Sequence, residues 1–137
     1  MKHTLLFLLM ICACTLQATA TGKQPRLTDD ELMTLVQKQT FRYFWDFAHP
    51  ESGLARERSN DRLEIVTIGG SGFGVMAIIV GVERGFITRE QGAERLLKIV
   101  EFLNKADSYH GIWAHWMDGA TGKTIPFSRK DDGADLV

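Results

Sequence analysis

Cysteine is nearly absent from this 137-residue sequence, since both cysteines, Cys12 and Cys14, lie within the first 14 positions. The rest of the chain therefore cannot contain a disulfide framework or a cysteine-based zinc site. No sign of charge is in marked excess either, because 16 basic and 17 acidic residues leave a net charge of −1. This balance gives no electrostatic reason to expect nucleic acid or an anionic membrane surface as a partner.

Apolar runs long enough to span a membrane are also missing. The longest, residues 4–13, is too short for a spanning helix, which needs about 20 residues. It follows the basic Lys2 and precedes the small residues of Ala18-Thr19-Ala20, which predicts a signal peptide over residues 1–20 with cleavage after Ala20. Alternatively, residues 11–14 resemble a lipobox in which Cys14 is lipidated. Both interpretations predict an exported protein, periplasmic or attached to the cell envelope.

Motifs of metal and serine-nucleophile chemistry are lacking as well. His49, His110 and His115 do not have ligand spacing on any predicted helix, and no H-x-x-x-H or H-E-x-x-H motif occurs. A G-x-S-x-G nucleophile elbow is also missing. We therefore expect no metal site.

The exported part is predicted to begin with a linker, residues 21–27, and a long helix. Thr28 and Glu31 form a capping-box pattern, and the apolar spacing that follows predicts a helix of about twenty residues, ended by Pro50 and Gly53. Because the helix is apolar on more than one side, we expect other helices to surround it. Its apolar positions are Leu32, Leu35, Val36, Phe41, Tyr43, Phe44, Trp45 and Phe47.

Two further helices are predicted close together. One covers residues 75–83 and is followed by Gly85, a typical residue at a helix C-terminus. The other starts at a second capping-box pattern, Thr88 and Gln91, and extends to about Ala106. So short a connection predicts an αα-hairpin.

The connecting segments are long, which favours a functional role for them. Residues 49–70 connect the first two helices. Residues 111–117 alternate like a short strand, Asp118-Gly119 is a turn signal, and residues 120–127 can run back beside that strand.

A glycine-rich segment, GFGVMA at residues 72–77, matches the G-x-G-x-x-A pattern of a dinucleotide-binding turn. A dinucleotide-binding unit would need a strand after the helix, where this sequence has Phe86-Ile87 and a helix cap. The segment therefore favours close packing at a loop-to-helix junction, with dinucleotide binding as the remote alternative.

Acidic residues near the end of the sequence suggest hydrolytic chemistry. Asp131 and Asp135 are four residues apart, so on a helix they share one face. Hydrolysis of a glycosidic bond uses two such carboxyl groups, one protonated and one charged. The alternative is that both acids only stabilise a helix N-terminus.

Aromatic residues give a second signal. Trp116 lies on a loop beside Asp118, where a flat ring could face a sugar or could instead fill the core. His115 is adjacent and could be an ordinary loop histidine. Trp45 is assigned to the core.

Several motifs in collinear order resemble one family. They are FRYFWDFAHP (41–50), SGLARER (52–58), GFGVMA (72–77), GVERGFI (81–87), DGATGKT (118–124), PFS (126–128) and DDGADLV (131–137). The sequence resembles the bacterial glycoamylase-like family, whose characterised members include endo-β-1,2-glucanases and related β-glucan hydrolases.

The resemblance implies an all-α fold, an (α/α)6 toroid of αα-hairpins with a short β-hairpin in a site loop. It implies a cofactor-free, inverting glycoside hydrolase acting on an oligo- or polysaccharide, with β-1,2-glucan favoured. On this basis Asp131 and Asp135 are the candidate catalytic or supporting acids, and Trp116, His115, Arg129 and Asp118 are candidate substrate-binding residues.

The resemblance also implies that residues 28–137 form the N-terminal part of a larger domain. We therefore expect the fragment alone to be inactive. A non-catalytic carbohydrate-binding or remnant polypeptide of the same family is the alternative.

Overall fold

The computed structural model describes residues 26–60 and 62–126. In these residues the structure is rich in helix and contains a small β-hairpin, as expected from the sequence. No helix in the described ranges is long and apolar enough to cross a membrane. The elements are α1 (Asp29–Trp45), β1 (Ile65–Thr67), α2 (Ile68–Glu83), α3 (Arg89–Leu103), β2 (Ser108–Tyr109), β3 (Ile112–Trp113) and β4 (Trp116–Asp118).

Helix α1 begins at the predicted capping box. The Thr28 hydroxyl accepts the Glu31 N–H at 3.3 Å, and the Glu31 carboxylate accepts the Thr28 N–H at 2.8 Å. Phe41 is the buried residue of this helix. The expected burial on several sides does not occur among the described residues, because a group of apolar positions on α1 is exposed: Leu32, Met33, Leu35 and Val36.

Helix α2 begins at Ile68, so the predicted start at residue 75 is wrong. The Thr67 hydroxyl caps it by accepting the Gly70 N–H at 3.2 Å. The glycines of the GFGVMA segment therefore lie inside the helix. Close packing explains why one of them, Gly74, is a glycine. A Cβ at Gly74 would lie 3.3 Å from the Phe44 ring of α1, so the missing side chain permits close contact between the two helices.

Helices α2 and α3 form the predicted hairpin. Gly85 has a φ of +68° at the turn, and the Thr88–Gln91 capping box is present. A Cβ at Gly92 would lie 2.7 Å from Val82 Cγ2, so this glycine also lets the helices approach. Residues 84–88 form no strand, so α2 is not followed by the strand that a dinucleotide-binding unit requires.

Four chain segments build a small antiparallel sheet, which we call the four-segment sheet: residues 55–57, β1, β4 and 123–125. β1 pairs with β4, with Val66 opposite Met117. Isolated bridges join Arg56 to Val66 and Met117 to Thr124. The predicted turn after β4 and the returning segment are therefore confirmed, but pairing of β4 with β1 was not predicted.

The predicted single strand over residues 111–117 is wrong, because the chain divides into β3 and β4. Strand β3 pairs with β2 across a tight turn, in which His110 and Gly111 have φ values of 50° and 83°. Two successive positive φ values are typical of a type I′ hairpin turn, whose twist matches that of the strands.

The side chains of the four-segment sheet point alternately to two faces, one against the core and one outward. Val66 and Met117 are completely buried and belong to the hydrophobic cluster that also contains Phe41, Leu54, Ile78, Ile87, Ile99 and Ala114. Because successive side chains in a strand point to opposite faces, Ile65 and Trp116 project from the outer face. That face carries the candidate site.

Candidate functional site

A pocket of about 170 Å³ lies on the outer face of the four-segment sheet. Its lining residues come from all four segments and from the loop between residue 57 and β1. They are Glu57, Arg58, Arg62, Ile65, Trp116, Ile125 and Pro126. Charged groups and an indole ring thus share one small concave surface, a combination typical of sites that orient a small ligand.

The register of the sheet explains why these side chains meet. The Arg56–Val66 bridge places Glu57 beside Ile65, whose carbonyl accepts the Glu57 N–H at 2.9 Å. At the opposite edge of the sheet, the Ile125 N–H donates to the Trp116 carbonyl at 3.0 Å.

Glu57 is ionised in this pocket. The Arg58 guanidinium donates two hydrogen bonds to its carboxylate, and these bonds are the main reason why the pKa of Glu57 is lowered. Burial opposes these bonds by raising the pKa, and smaller electrostatic effects of Arg58, Arg62 and His115 lower it further. An ionised carboxylate accepts hydrogen bonds but has no proton to donate, so Glu57 is suited to bind hydroxyl groups and unsuited to act as a general acid.

Trp116 and His115, both predicted to bind substrate, are adjacent in space. Trp116 lines the pocket, and the His115 ring meets the indole edge-on, with centroids 5.1 Å apart and planes at 78°. The His115 carbonyl accepts the Ile68 N–H at 3.0 Å, which ties the segment before β4 to the start of α2. The structure thus makes Trp116 a pocket wall and places His115 beside it.

Asp118, the third predicted binding residue in the described ranges, stabilises a turn. Its Oδ1 accepts the Ala120 N–H at 3.1 Å and both the N–H and the hydroxyl of Thr121 at 2.8 Å. The hydrogen bond from the Thr121 side chain is the largest of the effects that lower the pKa of Asp118. Its carboxylate does not line the pocket.

His49 is a buried polar residue outside the pocket lining, and only 2% of it is exposed. Its Nδ1 accepts the Glu51 N–H at 3.3 Å, so Nε2 carries the proton and donates to Glu64 at 2.9 Å. Glu64 in turn accepts the Gly119 N–H through its carbonyl at 2.7 Å. This chain of contacts holds the loop before β1 against the turn after β4.

The other predicted site residues, Arg129, Asp131 and Asp135, lie outside the described residues. Conversely, reasoning from the sequence missed Glu57, Arg58 and Arg62 as pocket residues. Their only signals were the length of the 49–70 connection and its charged stretch. Within residues 26–60 and 62–126, no group of three or more His, Cys, Asp or Glu residues is placed to hold a metal ion.

Comparison with known proteins identifies the family. The chain is 54% identical over 112 residues to an exo β-1,2-glucooligosaccharide sophorohydrolase of Parabacteroides distasonis. It is also 56% identical, with a TM-score of 0.76, to the endo-β-1,2-glucanase of Chitinophaga pinensis, whose structure contains sophorotriose and glucose. The chain belongs to the bacterial glycoamylase-like family. A candidate glucoamylase of Bacteroides uniformis is a still more similar structure, at 81% identity and a TM-score of 0.79.

The alignments cover most of this chain but only a small part of each glycoamylase-like relative. The alignments include 81% of this chain with the sophorohydrolase, 79% with the Chitinophaga glucanase and 82% with the Bacteroides uniformis protein. The chain spans only 16% of the sophorohydrolase and 28% of each of the two solved structures. No protein-family model matches the chain.

Proposed function

We propose that this chain is part of an exported glycoside hydrolase that cleaves β-1,2-linked glucans. The observation that carries the proposal is its 54% identity to a sophorohydrolase, supported by the likeness to a glucanase crystallised with sophorotriose. In this proposal the pocket beside Trp116 contacts the sugar chain, and the described residues supply part of the binding site.

The pocket chemistry supports sugar binding. The indole of Trp116 offers a flat apolar surface for one face of a pyranose ring. The ionised Glu57 can accept hydrogen bonds from sugar hydroxyls, and the guanidinium groups of Arg58 and Arg62 can donate them. An apolar platform bordered by charged donors and acceptors fits a molecule that has one apolar face and a polar rim.

The reaction we propose is acid/base hydrolysis with inversion. One carboxyl group protonates the leaving oxygen while another activates a water molecule on the opposite face of the sugar ring. Glu57 is a poor proton donor because its pKa is lowered. Asp131 and Asp135 remain the candidates for the acid and base within this chain, either directly or as supporting acids.

The fold we propose for the whole protein is an (α/α)6 toroid in which residues 28–137 form the first part. Large apolar side chains on all three helices support this, since Met33 on α1, Phe73 on α2 and Leu97 on α3 are 57%, 72% and 59% exposed. An apolar groove of about 350 Å³ also lies between α2 and α3. Apolar surface of this kind on helices is typically covered by a partner, here further αα-hairpins of a longer polypeptide.

Export is a separate proposal, based on residues 1–20. Cleavage after Ala20 would give a mature protein that begins at Thr21, whereas lipidation would leave Cys14 as the first residue. Mass spectrometry of the protein purified from its own cells distinguishes the two. An unprocessed Met1 in the purified protein would contradict both.

A chimera tests the proposed activity. Residues 28–137 replace the aligned segment of the Parabacteroides distasonis sophorohydrolase, and release of sophorose from β-1,2-glucooligosaccharides is measured. A control chimera carries the equivalent segment of the Chitinophaga pinensis glucanase, which shows whether the exchange itself is tolerated. We expect activity from both chimeras. Sugar binding without release by the first, beside an active control, would favour the non-catalytic alternative and contradict the proposal.

A further inference from the structure

The loop before β1, described over residues 57–60 and 62–64 and called here the 57–64 loop, carries the three charged residues of the pocket, and one side chain outside the pocket anchors it. That side chain is Arg56. Its Nε donates to the Leu63 carbonyl at 2.7 Å, and its Nη1 donates to the Phe47 carbonyl at 3.1 Å. The guanidinium carbon also lies 4.7 Å from the centre of the Phe47 ring.

The backbone of Arg56 is fixed as firmly as its side chain. The Tyr43 hydroxyl on α1 donates to the Arg56 carbonyl at 2.9 Å, and Arg56 bridges Val66 in the four-segment sheet. Arg56 therefore connects the end of α1, the edge of the sheet and the far end of the loop. None of the residues in these contacts lines the pocket.

We propose that Arg56 is a positioning residue that holds the 57–64 loop as a wall of the Trp116 pocket and so sets the affinity for sugar. The role of Arg56 in sugar affinity rests on the proposed function, whereas its role in holding the loop does not. The guanidinium is necessary because its rigid fork can bond two carbonyls while its flat face stacks on a ring. A lysine ammonium keeps the charge but cannot reproduce that combination.

The chain contains a matched control for this chemistry in Arg95. Its guanidinium carbon lies 4.2 Å from the centre of the Trp45 ring, and its Nη1 donates to the Trp45 carbonyl at 3.1 Å. Arg95 lies on α3 and lines no part of the Trp116 pocket. Arg56→Lys and Arg95→Lys therefore remove the same kind of stacked, carbonyl-bonded guanidinium at two places, only one of which supports the loop.

Hydrogen exchange of the 137-residue chain tests the positioning role without any ligand. We expect Arg56→Lys to speed exchange about tenfold in peptides covering residues 57–65, which corresponds to about 1.4 kcal/mol of lost local protection. Arg95→Lys should leave these peptides unchanged. Tyr43→Phe, which removes only the hydrogen bond from the Tyr43 hydroxyl to the Arg56 carbonyl, should speed exchange in the same peptides by a smaller factor. Unchanged exchange in both Arg56→Lys and Tyr43→Phe would overturn the proposal.

Kinetics in the chimera test the consequence for sugar binding. We expect Arg56→Lys to raise KM for β-1,2-glucooligosaccharides several-fold and to leave kcat within about twofold, because a displaced binding wall weakens binding but leaves the reacting groups in place. Arg95→Lys should change neither constant. An unchanged KM in Arg56→Lys would overturn the role in affinity. Loss of activity in the unmutated chimera would instead count against the proposed function and leave the hydrogen-exchange result valid.

Discussion

The imidazole of His49 packs directly against Gly119, so that a Cβ at residue 119 would lie 2.6 Å from Cδ2 of the ring. The same Cβ would lie 2.8 Å from Val66 Cγ1. Because Gly119 N–H also donates to the Glu64 carbonyl, the turn after β4 cannot move away without losing that bond. Residue 119 therefore has to be glycine for reasons of space.

We expect Gly119→Ala to destabilise the chain by about 1–3 kcal/mol, the usual cost of overpacking a filled site. Urea unfolding followed by circular dichroism measures this change. Gly72→Ala is the control, because a Cβ there meets nothing within 4 Å. In helix α2 the control should gain about 0.5–1 kcal/mol from the lower flexibility of alanine. Equal effects of the two substitutions would contradict the packing argument.

A second close contact joins α1 and α2, where a Cβ at Gly81 would overlap the Phe41 ring. That ring is held between Trp45 and Phe86, with centroids 5.7 Å and 5.6 Å away. We expect Gly81→Ala to cost about 1–3 kcal/mol. In a double-mutant cycle, Phe41→Leu should relieve part of that cost, with a coupling of at least about 0.5 kcal/mol. Additive effects would show that the cost of Gly81→Ala does not come from the Phe41 ring.

The starts of α1 and α3, capped by Thr28 and Thr88, could be predicted because their signals are local. Each capping box needs only a threonine and an acid or amide three residues later. The start of α2 could not be predicted, since a run of glycines opposes helix formation locally. What stabilises the helix there is tertiary contact, including the packing of Phe44 against Gly74.

The candidate site was predictable only in part, for a related reason. Trp116 could be singled out because a tryptophan beside a turn signal is unusual on its own. Glu57 could not, because a glutamate between two arginines in a loop is typical of solvated surface. It becomes a pocket residue only through the pairing of residues 55–57 with β1 and of β1 with β4. β1 and β4 are separated in sequence by two helices, so no local periodicity predicts their pairing.

Acid sensitivity of the turn after β4 follows from Asp118. Its pKa is lowered on folding, chiefly by the hydrogen bond from Thr121. A carboxyl group of this kind contributes stability above its unfolded pKa of about 3.9 and loses that contribution as the pH falls through the folded value. We expect Thr121→Val to destabilise the chain at pH 7 and progressively less below about pH 4.

Urea midpoints of the wild type and Thr121→Val, measured from pH 7 to pH 2.5, test this expectation. Thr40→Val is the control, because Thr40 is exposed on α1 and its substitution should have the same effect at every pH. A difference between Thr121→Val and wild type that stays constant to pH 2.5 would show that the Asp118 charge does not stabilise the turn.

Trp116 gives the most direct test of the pocket. If its indole supports a sugar ring, loss of the flat surface should raise KM in the chimera, and a ring of smaller area should preserve part of the affinity. We expect Trp116→Leu to raise KM about five- to tenfold, equivalent to about 1–1.4 kcal/mol of stacking, with the KM of Trp116→Phe between those of the wild type and Trp116→Leu. Trp113→Phe is the matched control, because Trp113 donates to the Leu103 carbonyl at 3.0 Å and does not line the pocket. Equal KM values for Trp116→Leu and Trp113→Phe would place the sugar elsewhere.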